Sequence, residues 1–433
     1  MEIVIGVDRK SKDKTYSIAK QYADVLFEFD FKNDFAEIRN LLIKKSSGKW
    51  ILISDGHEEW EGIDRIPEII IKSPNDVNSY AFYLELSPAE GGTVGQQIRL
   101  FKNIPGKMYY EGAMHNKLNA DTSKSYATDI VKIYHDRNKI LRGQRYKQRQ
   151  KMLIDNFEQI LKENPFDARA NYYLATYYLS EAASKNKYGE VVNFDDLDKN
   201  MIKKSIPYFE RYIGVSDFYE EKYLAKWFLL QAYLYLDKDT VEKRINIITD
   251  KELNITGNQK AKEIAYDMFE QMNEYPLAQN ALGGIYLDEF RKNNKKRSLA
   301  LAEYWFKNAR DKKNIYFVSC FFPKNQFTYI PYDKLTEIYS IAANNGQPER
   351  VRDAYLTGLK TLEFNDYPEN KKQELTECIK QWESIIGIND ENINSDRSGD
   401  RQHDNVNTID ISNSEVISNK SRCISPADLE KVS

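Results

Sequence analysis

Over the first third of the chain, the apolar and polar positions change period several times. "EIVIGV" (Glu2–Val7) is a short apolar run and predicts a buried strand. "KDKTYSIAKQYA" (Lys12–Ala23) turns to helical spacing, with Asp13 placed to cap its start. "DVLFEFDF" (Asp24–Phe31) predicts a second strand. "DFAEIRNLLIKKSSG" (Asp34–Gly48) predicts an amphipathic helix closing on Gly48. "KWILIS" (Lys49–Ser54) is the third strand. This β-α-β-α-β order predicts an α/β domain with a mostly parallel sheet and right-handed crossovers. Two more strands are expected at "SYAFYLEL" (Ser79–Leu86) and "QIRLFKN" (Gln97–Asn103), flanking the glycine-rich "SPAEGGTVGQ".

From about Arg137 strand signals nearly vanish, and helical stretches rich in Tyr, Leu and Ala take over. "ANYYLATYYL" (Ala170–Leu179) matches "AQNALGGIYL" (Ala278–Leu287), setting Leu174, Ala175 and Tyr178 against Leu282, Gly283 and Tyr286. A later helix carries Ala302, Phe306 and Ala309. Small and large residues at these offsets let paired helices pack closely, the logic of tetratricopeptide-type repeats. Helix pairs around Trp227–Met272 and Leu335–Leu359 fit the pattern more loosely, at irregular spacing. An irregular helical bundle is the plainer alternative. Beyond about Asn389 the chain is rich in Asn, Asp and Ser, and a disordered tail is expected. The predicted division is therefore 1–136, 137–388 and 389–433.

Composition narrows the function classes. The 433 residues carry a formal net charge of −3, which argues against a protein built to coat nucleic acid. Three cysteines lie far apart with no CxxC, so neither a disulfide framework nor a zinc knuckle is expected. With no signal-like start and no apolar run of membrane-spanning length, a cytoplasmic protein without a transmembrane segment is the expectation.

Candidate chemistry collects at the predicted strand ends, where open α/β sheets bind ligands. Asp8 follows the first strand, Asp30 and Asp34 the second, and Asp55 and His57 the third. In "SDGHEEW", alternate residues of an extended segment would point the same way, so Asp55 and His57 would face one ion across Gly56. A carboxylate with an imidazole suits Mn²⁺, with Mg²⁺ acceptable. The plainer reading is an acidic turn with an incidental histidine. His115 and His135 lie in the same half, and either would complete a metal set. Arg39 and Arg99 are candidates to neutralise a diphosphate, although a solvated arginine is commoner. No GxxxxGK[ST], GxGxxG or GxSxG occurs, which weighs against P-loop, dinucleotide and hydrolase sites.

Taken in order, these residues resemble the family 2 glycosyltransferases of the GT-A fold, in the subgroup followed by tetratricopeptide repeats. "VDRKSKDKT" is similar to "VD-x-G-S-x-D-x-T" through Asp8, Ser11, Asp13 and Thr15. "DFAEIRN" keeps Asp34, Phe35, Arg39 and Asn40 of "DF-x-x-x-RN". "SDGHEEW" stands where the family has "DAD-E". "RLFKN" and "YEGAMHN" keep Arg99, Gly112 and His115, and His135 follows. The match covers most of residues 1–180. It departs in three places: the chain opens at what resembles the second strand, the DxD is Asp-Gly-His, and the Glu after the family's histidine is Asn116. The polypeptide N-acetylgalactosaminyltransferases also use D-x-H. The resemblance implies metal-dependent, inverting transfer from a nucleotide-sugar, with a UDP-sugar the expected donor, to a glycan, peptide or protein. It implies Mn²⁺ or Mg²⁺ on Asp55, His57 and one of His115 and His135. Donor contacts would come from Asp8, Asp13, Asp34, Arg39 and Arg99, and the base from Glu111. An inactive relative whose helices bind a protein partner, or a metal-dependent nucleotidyltransferase or hydrolase, are the alternatives.

Overall fold

The computed structural model describes residues 1–32, 34–86, 92–112, 116–135, 144–182, 197–246, 251–312 and 321–387. The chain divides into two compact units, 1–143 with the short stretch 316–322, and the remainder. The tail expected at 389–433 lies outside the described residues.

In the first unit β1 (Val4–Asp8), α1 (Thr15–Tyr22), β2 (Val25–Phe29), α2 (Phe35–Lys45) and β3 (Trp50–Leu52) follow the predicted order. Next come β4 (Glu58–Glu61), α3 (Ile66–Lys72), β5 (Ser79–Leu86), β6 (Thr93–Lys102), β7 (Tyr110–Glu111), β8 (Lys117–Leu118) and β9 (Ser125–His135). The Asp34 carboxylate caps α2 by accepting from the Glu37 amide at 2.9 Å. The helix ends at Lys45, before Gly48, because Ser46 is already extended. α1 begins at Thr15, whose amide donates to the Asp13 carboxylate at 3.0 Å.

The sheet is mixed, which corrects the mostly parallel expectation. β1 and β2 pair in parallel, but in a two-stranded sheet of their own. The six-stranded sheet runs in the order Phe321–Pro323, β6, β5, β9, β4, with β3 also on β6. There β5 and β9 pair in parallel, and β3–β6, β5–β6 and β4–β9 are antiparallel. β5 and β6 follow each other too closely in the chain for the crossover a parallel pair needs. Period-two alternation divides the core between the two faces. Ala81 joins Ile51, Ile98, Phe101 and Ala36 of α2. Tyr80, Phe82 and Leu84 join Leu100, Ile133 and Ile66 of α3.

The second unit contains α4 (Gln144–Glu163), α5 (Ala168–Ala182), α6 (Lys199–Val215), α7 (Tyr219–Leu236), the hairpin β10 (Thr240–Asn246) and β11 (Lys251–Thr256), α8 (Gly257–Gln271), α9 (Pro276–Asn293), α10 (Lys296–Arg310), α11 (Ile330–Asn344), α12 (Arg350–Leu362) and α13 (Glu369–Ile386). Helices pack in sequence: α5 on α6, α7 on α8, α9 on α10 and α11 on α12, with each pair packing on the next. Leu174, Leu229, Leu282 and Leu335 are all buried, one each in α5, α7, α9 and α11. Tyr178, Tyr233, Tyr286 and Tyr339 stand four residues after each. Gly283 explains the closeness of one pair: a Cβ there would sit 2.7 Å from the ring of Phe306, so only glycine lets α9 and α10 approach this far. No helix among the described residues is long and apolar enough to cross a membrane.

Candidate functional site

α2 presents Arg39 and Asn40 on adjacent positions. Asn40 clamps β7 from both sides: its Nδ2 donates to the Tyr110 carbonyl at 2.9 Å, and its Oδ1 accepts from the Tyr110 amide at 2.7 Å. This fixes the Tyr110 ring under the Arg39 guanidinium, 5.0 Å from its centroid. Arg39 Nη2 donates to both Asp55 carboxylate oxygens at 3.0 and 2.9 Å, and Nη1 donates to Asn116 Oδ1 at 2.6 Å. Arg39 is therefore held on three sides before any ligand arrives.

Arg99 reaches the same place through a β-bulge. Tyr80 pairs with Leu100 while Ala81 pairs with Ile98, leaving Arg99 as the extra residue of β6. A bulge re-aims the side chain it carries. The side chain is 3 % exposed, ion-paired with Glu58, and its Nη2 lies 3.9 Å from Asp55. Its Nε and Nη1 are buried and have no hydrogen-bond partner. An unpaired buried donor on a charged group costs a few kcal/mol, roughly 1–3 or more. That cost marks Arg99 as a group with donors to spare for an anionic oxygen.

The stretch after β3 is a turn, not an extended run. The Glu58 amide donates to the Asp55 carbonyl at 3.1 Å, and the Asp55 amide donates to Glu58 Oε2 at 2.9 Å. Asp55 and His57 consequently take different partners. Asp55 faces the two arginines. His57 faces His135, the residue that pairs with Glu58 across β4 and β9. The Nε2 atoms of the two histidines lie 2.5 Å apart, with the rings near perpendicular at 4.2 Å between centroids.

The electrostatics follow from this partition. Burial pushes the Asp55 carboxyl up, but Arg39 and Arg99 outweigh it and hold it below the usual range. Burial dominates at Glu58 and raises it despite Arg99. Burial opposes the charge on Arg39, yet Asp55 raises it further. Burial also raises the Tyr110 hydroxyl.

Of the sequence candidates, Arg39, Asp55, His57, Arg99 and His135 come together. Asp8, Asp13 and Asp34 are used locally instead. Asp8 Oδ1 accepts from the Lys10 amide at 3.1 Å and from Phe31 at 3.5 Å, tying the ends of β1 and β2. Asp13 and Asp34 hold helix starts. Glu111 is exposed and follows buried Tyr110 in β7, so its side chain lies on the opposite face from the cluster. His115 lies outside the described residues. Sequence reading missed Glu58 and Tyr110. Glu58 opens a strand reading "EEWE", whose charges hide it among solvated positions.

The two imidazoles are of a donor type that suits a divalent ion, whereas the carboxylate of Asp55 is already engaged. Two nitrogens sharing an ion at about 2.0–2.1 Å stand roughly 3 Å apart, wider than the 2.5 Å here, so an ion would need the pair to open. The Asp55 oxygens are taken by Arg39. Among the described residues no three His, Cys, Asp or Glu side chains form a metal-holding group. No protein-family model matches the chain, and no curated protein matches it.

Proposed function

We propose that the first unit is a GT-A-type glycosyltransferase domain that takes its sugar from a nucleotide-sugar, a UDP-sugar by preference, and that the helical unit is an array of tetratricopeptide-like repeats. What carries this reading is the convergence of Arg39, Asp55, His57, Arg99 and His135. They come from four separate stretches of sequence, each of which resembles a glycosyltransferase motif, and they meet around one set of strand ends.

In this reading Arg99 offers its unpaired nitrogens to a diphosphate oxygen, charge that suits an anionic leaving group. Asp55 holds Arg39 in place and supplies no oxygen to a ligand. His57 and His135 would hold a divalent ion, which when bound stabilises the charge developing on the leaving diphosphate. The acceptor oxygen attacks the anomeric carbon, the bond from that carbon to the diphosphate breaks, and the nucleotide leaves with the electron pair. The acceptor proton passes to a base. Incubating the chain with UDP-sugars and measuring released UDP tests the proposal. Release with at least one sugar, abolished by Arg99→Met, is expected; no release with any nucleotide-sugar and any acceptor would overturn it.

The position of Glu111 favours a second reading. Asp55 and Glu58 are engaged, and Glu111 faces away, so no carboxylate among those assigned to the site stands ready to take the proton. A relative that binds nucleotide-sugar without transferring it, and works through a protein partner on its helices, would keep the cluster and lose the base. UDP binding without UDP release would identify it.

A further inference from the structure

The two arginines of this cluster are completed to different degrees. Arg39 has its Nη2 on both oxygens of Asp55 and its Nη1 on Asn116. Arg99 has its Nη2 ion-paired with Glu58, while its buried Nε and Nη1 have no partner. The N–H groups of a guanidinium fan outward in one plane, so a single carboxylate cannot satisfy them all. A group with several charged oxygens on one centre can. Arg99 Nη2 lies 3.9 Å from Asp55, whose side chain is 31 % exposed, so the cluster meets solvent one ion-pair distance from Arg99. The acids expected to meet a nucleoside are spent differently. Asp8 Oδ1 accepts from the backbone amides of Lys10 and Phe31, Asp13 Oδ1 from that of Thr15 and Asp34 Oδ1 from that of Glu37. Asp30 pairs with Arg9 at 2.7 Å.

We infer that the cluster reads phosphate and not the nucleoside: inorganic pyrophosphate binds at Arg99 and competes there with UDP, and any preference for uridine is set by residues outside the cluster. This rests on the diphosphate reading of the site and deepens it. The phosphate part of UDP binding runs through Arg99, and the nucleoside part does not. Contributions from separate groups add. Removing the Arg99 guanidinium therefore lowers the affinity for pyrophosphate and for UDP by the same factor. Free pyrophosphate, wherever it accumulates, keeps the nucleotide-sugar out.

The test is calorimetric titration of sodium pyrophosphate, and separately of UDP, into the full chain in one Mg²⁺-containing buffer. UDP is then titrated again in the presence of pyrophosphate. Saturable binding of pyrophosphate is expected, with apparent UDP affinity falling as pyrophosphate rises. Arg99→Met should weaken both ligands at least about tenfold, by factors equal to within about threefold. Asp8→Asn should leave both within about threefold, because its oxygen serves backbone amides. Circular dichroism checks folding. Arg99→Lys, which keeps a charge for Glu58 but loses the fork, serves if Arg99→Met does not fold. No pyrophosphate binding to the wild type, UDP binding that excess pyrophosphate does not displace, pyrophosphate binding retained in the folded Arg99 variant, or a loss of UDP affinity alone in Asp8→Asn would each overturn the inference. The two proposals fail separately. Pyrophosphate bound through Arg99 with no UDP released from any nucleotide-sugar would end the transferase reading and leave the phosphate assignment standing. UDP released from a nucleotide-sugar with pyrophosphate ignored would do the reverse.

Discussion

Each unit buries a charged cluster, and the two clusters are finished differently. In the helical unit Glu337 on α11 is 4 % exposed, and both its oxygens are taken, one by Arg291 of α9 and one by Lys334 at 3.2 Å. Among the described residues, no buried atom of this group is left without a partner. In the sheet unit Arg99 is buried just as deeply and keeps two nitrogens unpaired. A closed cluster fixes one helix pair against the next. An open one, placed by a bulge and lying beside two imidazoles, leaves buried donors unpaired at some cost in stability.

The sharpest way to break this comparison is to remove an acid from the closed cluster. Glu337→Ala leaves Arg291 and Lys334 facing each other and should cost about 3–5 kcal/mol, read by urea unfolding of the helical unit's transition. Arg99→Met should cost less, about 1–3 kcal/mol, because it removes unpaired donors and because Glu58, already raised by burial, can take up a proton. If Arg99→Met proves the costlier of the two, the contrast between closed and open clusters fails. The repeat geometry is tested within one helix. Gly283→Ala should destabilise by about 1–3 kcal/mol through the Phe306 ring, whereas Gly284→Ala, which meets nothing within 4 Å, should stabilise by up to about 1 kcal/mol. Equal effects at the two glycines would contradict the packing described for α9 and α10. A smaller effect appears in acid. Burial opposes the Glu337 charge, but Lys334 and Arg291 outweigh it, so its folded-state pKa lies below the ordinary value of 4.5. Its stabilisation is therefore full above that value and is lost as pH falls through the depressed one. The stability gap between wild type and Glu337→Gln should shrink below about pH 4, as checked by melting curves.

The chain itself made some of this legible and hid the rest. The alternation in "SYAFYLEL" and the helical spacing of "DFAEIRNLLIKK" announce β5 and α2, because local period and burial agree there. The repeat helices are legible through Leu174 and Leu282, while the pairs around Trp227–Met272 and Leu335–Leu359 fit more loosely because the residues after Leu229 and Leu335 are Leu230 and Thr336 in place of Ala or Gly. Sheet direction is not local: β3 reads as a parallel strand and pairs antiparallel with β6, since pairing depends on a partner some fifty residues away. The site divides the same way. Asp55, His57 and His135 stand out as residue types near strand ends, and Arg39 and Arg99 as arginines suited to a phosphate. Nothing local reveals that Arg99 occupies a bulge, that Asp55 turns to the arginines while His57 turns to His135, or that Asp34 is spent on a helix cap. Those outcomes are set by register and by competition for hydrogen bonds across the fold.

If the open cluster around Arg99 binds a nucleotide diphosphate, as proposed, calorimetric titration of UDP into the whole chain will show it, with Co²⁺ or Mn²⁺ present and again after chelation. Saturable, metal-assisted binding in the wild type, weakened at least about tenfold in Arg99→Met and in His57→Ala and unchanged in Glu337→Gln, is the predicted result. No UDP binding under either condition, or binding that Arg99→Met and His57→Ala leave intact, would contradict it.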